Sequence, residues 1–282
     1  MTPDLPARVG VAGGGRMGAG IAHAFLISGC EVVIVEQNAP AARAARDRVA
    51  GSVAASIDRG LTADAADLMA AVHATTELAD LAGAGLAVEA VPEDRDLKLA
   101  LLPQLEARLA PGGVLASNTS SIPIGVLARS LRRPEQFLGL HFFNPVPAST
   151  LVEIITHAAT PPELTERALA WVRALGKHAI AVADSPGFAS SRLGVALALE
   201  AIRMLEDGVA SAADIDTAME QGYRHPMGPL KTTDIVGLDV RLGIAEQLER
   251  DLGARFCPPS LLREMVARGE VGRKSGKGFY DY

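Results

Sequence analysis

Hydrophobic positions along the chain follow two rhythms. Through the first two thirds, short apolar runs alternate with longer stretches of helical spacing. The runs at 8–13 (RVGVAG), 31–36 (EVVIVE), 85–91 (GLAVEAV), 113–117 (GVLAS), 137–142 (FLGLHF), 150–155 (TLVEII) and 178–182 (HAIAV) read as buried strands. Between them, 17–29, 39–59, 96–109 and 161–176 carry apolar residues at the three- and four-residue spacing of helices. Such alternation predicts an α/β domain with a largely parallel sheet. After ADSPGF (183–188) the strands stop. Helical spacing then fills 191–208, 211–220, 238–252 and 259–268, and Ser211 with Asp214 three residues on reads as a helix cap. The pattern predicts a boundary near Asp184, with an α/β domain over 1–184 and an all-helical domain over 185–282. The helical part carries more apolar stripe than a lone bundle of its size needs, so part of it is expected to pack on the first domain or on a second copy of the chain.

Bulk properties narrow the class. Of the 282 residues, 49% are hydrophobic and 21% charged, the balance of a globular enzyme. No apolar run reaches the roughly 18 residues of a membrane span. A formal net charge of −6 with no basic tail argues against a nucleic-acid partner. The two cysteines, Cys30 and Cys257, fit neither a metal spacing nor a disulfide framework. With a start that lacks the pattern of an export signal, they point to the reducing cytoplasm.

Two constellations carry chemistry. The first is Gly13-x-Gly15-x-x-Gly18, set between the first strand and the first helix. Glycines at this spacing permit a tight turn, let backbone amides approach a diphosphate and let the helix pack closely on the strand. Glu36, at the end of the second strand, places a carboxylate where an adenosine ribose would donate hydrogen bonds. It would repel the extra phosphate of NADP, and no arginine follows it in EQNAP. Together these features predict a dinucleotide site that takes NAD, with no metal. The second constellation is LGLHFFNPVPASTLVEI (138–154): His141 ends one strand, and Glu153 lies inside the next apolar run. A carboxylate beside an imidazole fixes its tautomer and stabilises the charge it gains on taking a proton. A base beside a nicotinamide implies hydride transfer between an alcohol and a ketone.

Further segments extend the picture. GGGRMGAGIAHAF, AVEAVPEDRDLK, SNTSSIPI, GLHFFNPVPASTLVEII, DSPGF, EDGVASAADIDTAM, HPMGPLKTTDIVGLD and GRKSGKGFYDY span the chain from Arg8 to Tyr282. Together they resemble the L-3-hydroxyacyl-CoA dehydrogenases, above all the single-function 3-hydroxybutyryl-CoA type. The resemblance implies a Rossmann-type NAD domain, a helical C-terminal domain through which subunits form a homodimer, and an acyl-CoA substrate held between the domains. It also implies roles by position: His141 as acid/base, Glu153 as its orienting partner, and Ser120 as a hydrogen-bond donor to the substrate's 3-oxygen beside the nicotinamide. Asn118 and Asn144 would shape the surrounding loops. Glu93, Lys98 and Lys274 would contact the cofactor, while Ser52 and Arg59 would bind the CoA nucleotide.

Structural readings stand beside some of these roles. Arg59 also fits a solvated helix face, Lys98 an exposed first-turn lysine, and Lys274 lies in a Gly/Ser/Lys tail that reads as mobile. Ser191 stands where the family carries a catalytic asparagine, and its shorter hydroxyl would reach the site through a water. Thr150 stands where many relatives place a lysine. Two rival functions share these residues: a dehydrogenase of a small free hydroxy acid such as a sugar acid, and a cofactor-binding protein without turnover.

Overall fold

RVGVA pairs into a sheet because its apolar side chains alternate onto two covered faces. This first strand, β1 (Arg8–Ala12), has four of its five residues buried. The computed structural model describes residues 5–61 and 63–282. Helix α1 (Arg16–Ile27) leads back to β2 (Glu31–Val35), which lies parallel to β1 with Arg8 opposite Glu31 and Ala12 opposite Val35. Asn38 caps the next helix, α2 (Ala39–Ile57): its Oδ1 accepts from the Ala41 amide at 2.9 Å, and Pro40 fits the first turn. A short α3 (Ala65–Ala70) and edge strand β3 (Val72–Thr75) follow. Then come β4 (Leu86–Glu89), α4 (Arg95–Glu106), β5 (Val114–Ser117), α5 (Ile124–Ala128), β6 (Phe137–Phe142), β7 (Leu151–Thr156), α6 (Pro162–Ala174) and β8 (His178–Ala183).

The strand order is β3-β2-β1-β4-β5-β6-β7-β8. All neighbouring pairs are parallel except β6 with β7. The connection from β6 to β7 holds no helix, and a parallel return would need a crossover of about a dozen residues or more. The chain therefore reverses there, through the cis Asn144–Pro145 peptide. In the resulting register His141 lies directly opposite Glu153. Across the sheet, Asp184 closes the far end: its carboxylate accepts from the amides of Ile124 and Gly125 at 3.0 and 2.7 Å, capping α5. The core beneath α1 and the sheet is aliphatic, with Phe25, Leu138, Phe142 and Trp171 as its bulky members.

By packing, the chain divides into two units, Met1–Ser185 and Pro186–Tyr282. The second contains α7 (Ser190–Glu206), α8 (Ala212–Thr217), a π-helical turn at Ala218–Gly222, α9 (Pro229–Val236), α10 (Leu238–Leu252) and α11 (Ser260–Ala267). Its core gathers Leu199, Ile202, Leu230, Leu248 and Leu262. The final segment, expected to be mobile, is instead strapped down by two buried carboxylates. Asp234 accepts from the amides of Phe279 and Tyr280 at 2.9 and 3.0 Å and from the Tyr282 hydroxyl at 3.2 Å. Asp216 accepts the Tyr280 hydroxyl at 2.7 Å while also capping α9 through Leu230 and Lys231. The sequence pattern also passes over β3, α3, α5 and α9. Each is eight residues or shorter, too brief for a period to stand out.

The turn between β1 and α1 depends on two of its glycines. Gly13 has φ 91°, and a Cβ there would come within 2.9 Å of the Ala90 carbonyl. At Gly18 a Cβ would overlap the Gly13 carbonyl oxygen. Gly18→Ala is therefore expected to destabilise the protein by about 2 kcal/mol or more in urea denaturation, the range of core overpacking. Helix propensity alone would give a gain of about 1 kcal/mol, so the sign of the change decides whether the backbone contact governs this position.

Candidate active site

A cleft of about 900 Å³ opens at the carboxyl ends of β1, β2, β4, β5 and β6. Its lining includes Gly13, Gly15, Arg16, Glu36, Glu93, Lys98, Asn118, Ser120, His141 and Asn144. Open α/β sheets bind ligands at this edge because loops and helix N-termini converge there.

One wall is the glycine turn. No side chain caps the N-terminus of α1, and a Cβ placed on Gly15 would meet nothing within 4 Å. The first-turn amides therefore border open space, a setting that suits a diphosphate. Glu36 holds the turn from the side: its Oε1 accepts from the Gly14 amide at 2.7 Å and its Oε2 from Gln37 at 3.2 Å. Arg48 on α2 donates to the Gly14 carbonyl at 3.1 Å. The donor set fits a dinucleotide, with amides for the diphosphate and the Glu36 carboxylate, also in the lining, for ribose hydroxyls.

The floor is a charge cluster whose inner members, Glu89 and Lys98, are buried. Lys98 is only 1% exposed, so the reading of it as an exposed first-turn lysine is overturned. Its Nζ lies 2.6 Å from Glu89 Oε1 and 3.3 Å from Glu93 Oε2. Glu89 is wholly buried and also accepts from Ser117 Oγ at 2.6 Å. Glu93 organises the turn after β5. Its Oε1 accepts from Thr119 Oγ1 at 2.6 Å, the Ser120 amide at 2.9 Å, the Ser121 amide at 3.0 Å and Ser121 Oγ at 2.9 Å. Burial pushes the Glu93 carboxyl up, but the Lys98 charge and the hydroxyls of Thr119 and Ser121 outweigh it and hold the group below its ordinary 4.5.

At the far end stands His141, whose Nδ1 is 2.8 Å from Glu153 Oε2. An ionised carboxylate only accepts, so Nδ1 carries the proton and donates, which places the ring's basic lone pair on Nε2. Glu153 is fully buried beneath the imidazole. Phe143 packs against the ring with centroids 4.5 Å apart. Asn118 Oδ1 accepts from the Phe142 amide at 2.9 Å, tying the end of β5 to the end of β6.

The remaining sequence candidates lie outside the cleft lining. Gly18 sits within α1 behind the turn. On α2, Ser52 turns its hydroxyl back to the Arg48 carbonyl at 3.1 Å, and Arg59 is exposed just beyond that helix. Ser191 is the second residue of α7, half-buried in the second unit. Lys274, also in the second unit, is paired with Asp239 at 2.6 Å. Sequence reasoning missed Glu89, Ser117 and Thr119. For Glu89 the signal was present: a carboxylate inside the apolar run GLAVEAV, the same anomaly that singled out Glu153.

The chain is similar to known proteins along nearly its whole length. Residues 8–185 match the model of the 3-hydroxyacyl-CoA dehydrogenase NAD-binding domain, and residues 187–282 match that of the family's C-terminal domain. A probable 3-hydroxybutyryl-CoA dehydrogenase of Deinococcus radiodurans is 42% identical, over 98% of this chain and 100% of the relative. The 3-hydroxybutyryl-CoA dehydrogenase of Mycobacterium tuberculosis is 40% identical, over 99% of each. In three dimensions, the (S)-3-hydroxybutyryl-CoA dehydrogenase of Ralstonia eutropha superposes with a TM-score of 0.94 at 38% identity, covering 99% of both chains. The chain belongs to the 3-hydroxyacyl-CoA dehydrogenase family, NAD-binding oxidoreductases with a helical C-terminal domain.

Proposed function

We propose that the protein interconverts a (3S)-3-hydroxyacyl-CoA and its 3-oxoacyl-CoA with NAD, and that 3-hydroxybutyryl-CoA is among its substrates. The single observation carrying this reading is the His141–Glu153 pair set in the wall of the nucleotide-fitting cleft. When bound, NAD supplies the acceptor for the hydride that leaves C3 of the alcohol. His141 takes the hydroxyl proton at Nε2, while Glu153 holds the ring in the required tautomer and stabilises the charge that develops on it. Ser120 donates to the same oxygen, its backbone held in place by Glu93. In the reverse direction His141 returns the proton as the carbonyl becomes an alkoxide. Glu36, Lys98 and the glycine turn orient the dinucleotide. Lys274 as a further cofactor contact, and Ser52 and Arg59 as the CoA-nucleotide contacts, belong to the same reading by family position.

Ser191 substitutes a shorter hydroxyl for the family's asparagine. Loss of one orienting hydrogen bond of this kind costs about 1–3 kcal/mol, which would appear as slower turnover or a shifted acyl preference. A homodimer formed through the second unit completes the reading. Exposed Leu193, Val209, Ile235 and Val240 supply apolar surface for it, and sedimentation at micromolar concentration checks the stoichiometry. Cytoplasmic placement is the corresponding expectation for an enzyme that draws on the NAD and acyl-CoA pools.

The direct test mixes purified protein with NADH and acetoacetyl-CoA and follows nicotinamide absorbance. Turnover is expected, and its absence with NADH binding intact would sink the reading. His141→Ala is expected to lower kcat by about 10²–10⁴-fold, the usual worth of a positioned base, while leaving NADH affinity unchanged. Retained activity would move the base elsewhere.

A pH effect follows from Glu93. Its folded value lies below the ordinary 4.5, so its ionised form contributes stability in full above pH 4.5. That contribution is lost as the pH falls through the lower folded value. NADH affinity and thermal stability are both expected to drop across that acid window, and Glu93→Gln should flatten the dependence. An unchanged slope in the variant would assign the acid sensitivity to another group.

A further inference from the structure

We propose that Glu89, which the reaction itself does not use, is a positioning residue of the cofactor cleft, acting through Lys98 to hold Glu93 and with it the Thr119–Ser121 turn. The inference rests on the dehydrogenase reading and assigns a role to a group that reading leaves unexplained. Glu89 is the last residue of β4 and has no exposed surface. Its neighbours across the strands, Ala12 on β1 and Ser117 on β5, sit at the same level of the sheet, directly under the cleft floor. Both of its oxygens are engaged: Oε1 accepts from Lys98 Nζ at 2.6 Å and from the Val91 amide at 2.8 Å, and Oε2 accepts from Ser117 Oγ at 2.6 Å.

Stability alone gives no reason for this arrangement. A buried ion pair is commonly matched or bettered by apolar side chains of the same volume, because desolvating two charges offsets their attraction. What the pair does is divide the attention of one cation. Lys98 lies between Glu89 at 2.6 Å and Glu93 at 3.3 Å, and so closer to Glu89. Glu93 therefore meets the ammonium through Oε2 alone and keeps Oε1 for the Thr119–Ser121 donors. Were Glu89 uncharged, Lys98 would have one carboxylate left to neutralise it in a low-dielectric setting. It would draw Glu93 onto itself and away from the turn that presents Ser120 to the cleft.

Charge and shape separate cleanly at this position. Glu89→Gln keeps the volume and an acceptor for Ser117 but removes the charge, whereas Glu89→Asp keeps the charge on a shorter arm. NADH affinity by fluorescence titration, and kcat and KM with acetoacetyl-CoA, are measured for both against the wild type. Glu89→Gln is expected to weaken NADH binding about tenfold and to lower kcat, with KM for the thioester little changed, while Glu89→Asp stays within about threefold of wild type. Because the effect runs through Lys98, adding Glu89→Gln to Lys98→Gln should change NADH affinity no further. That double variant removes both fully buried charges, Glu89 and Lys98, so it can be measured if Glu89→Gln alone does not fold. Wild-type behaviour of Glu89→Gln, a larger defect in Glu89→Asp than in Glu89→Gln, or an undiminished effect in the Lys98→Gln background would each overturn the proposal while leaving the dehydrogenase reading intact. A wild-type protein that neither binds NADH nor turns over would overturn both.

Discussion

One reversal of chain direction sets the geometry of the site. In a wholly parallel sheet, β6 and β7 would be joined by a long crossover, and residues that face each other would belong to distant stretches of sequence. The short connection through Asn144 and Pro145 makes the pair antiparallel instead, and the register puts His141 and Glu153 directly opposite each other. Because the ladder fixes the two Cα positions, the 2.8 Å contact between the side chains needs no loop to be ordered first. The imidazole is held by rigid backbone on one side and presented to the cleft on the other, and the nucleotide wall lies on the same edge of the same sheet.

Much of this was legible in the residues. The strands announced themselves as apolar runs bounded by glycine or polar residues, and the glycine turn with Glu36 marked where a dinucleotide fits. His141 and Glu153 stood out because titratable groups inside apolar runs must be partnered. What was not legible has physical reasons too. Edge strand β3 has one buried residue in four, so nothing in VHAT reports its pairing with β2. The final segment reads as loose from its glycines, yet it is fixed by Asp216 and Asp234, which lie far back in the sequence on or beside other helices. Beside its reading as a cofactor contact, Lys98 also fitted a solvated lysine, because a helix's first turn usually is solvated. Its burial is a consequence of Glu89, a residue on a strand that no periodic pattern links to it.

The two acid partnerships work differently. Glu153 orients a group poised to change its charge. Glu89, Lys98 and Glu93 form a chain in which each charge limits the freedom of the next, ending in a turn held by five hydrogen bonds to one carboxylate oxygen. The first arrangement suits proton transfer, and the second suits a rigid binding surface.

The confinement of Lys98 also bears on chemical durability. Enzymes that handle acyl thioesters work among compounds that acylate amines, and a lysine at the floor of such a cleft would be a target for slow self-inactivation. An ammonium clasped between two carboxylates has no lone pair to attack a thioester, and only 1% of its surface can be reached. The same clasp that orders the floor thus shields the Lys98 amine from its own metabolic surroundings.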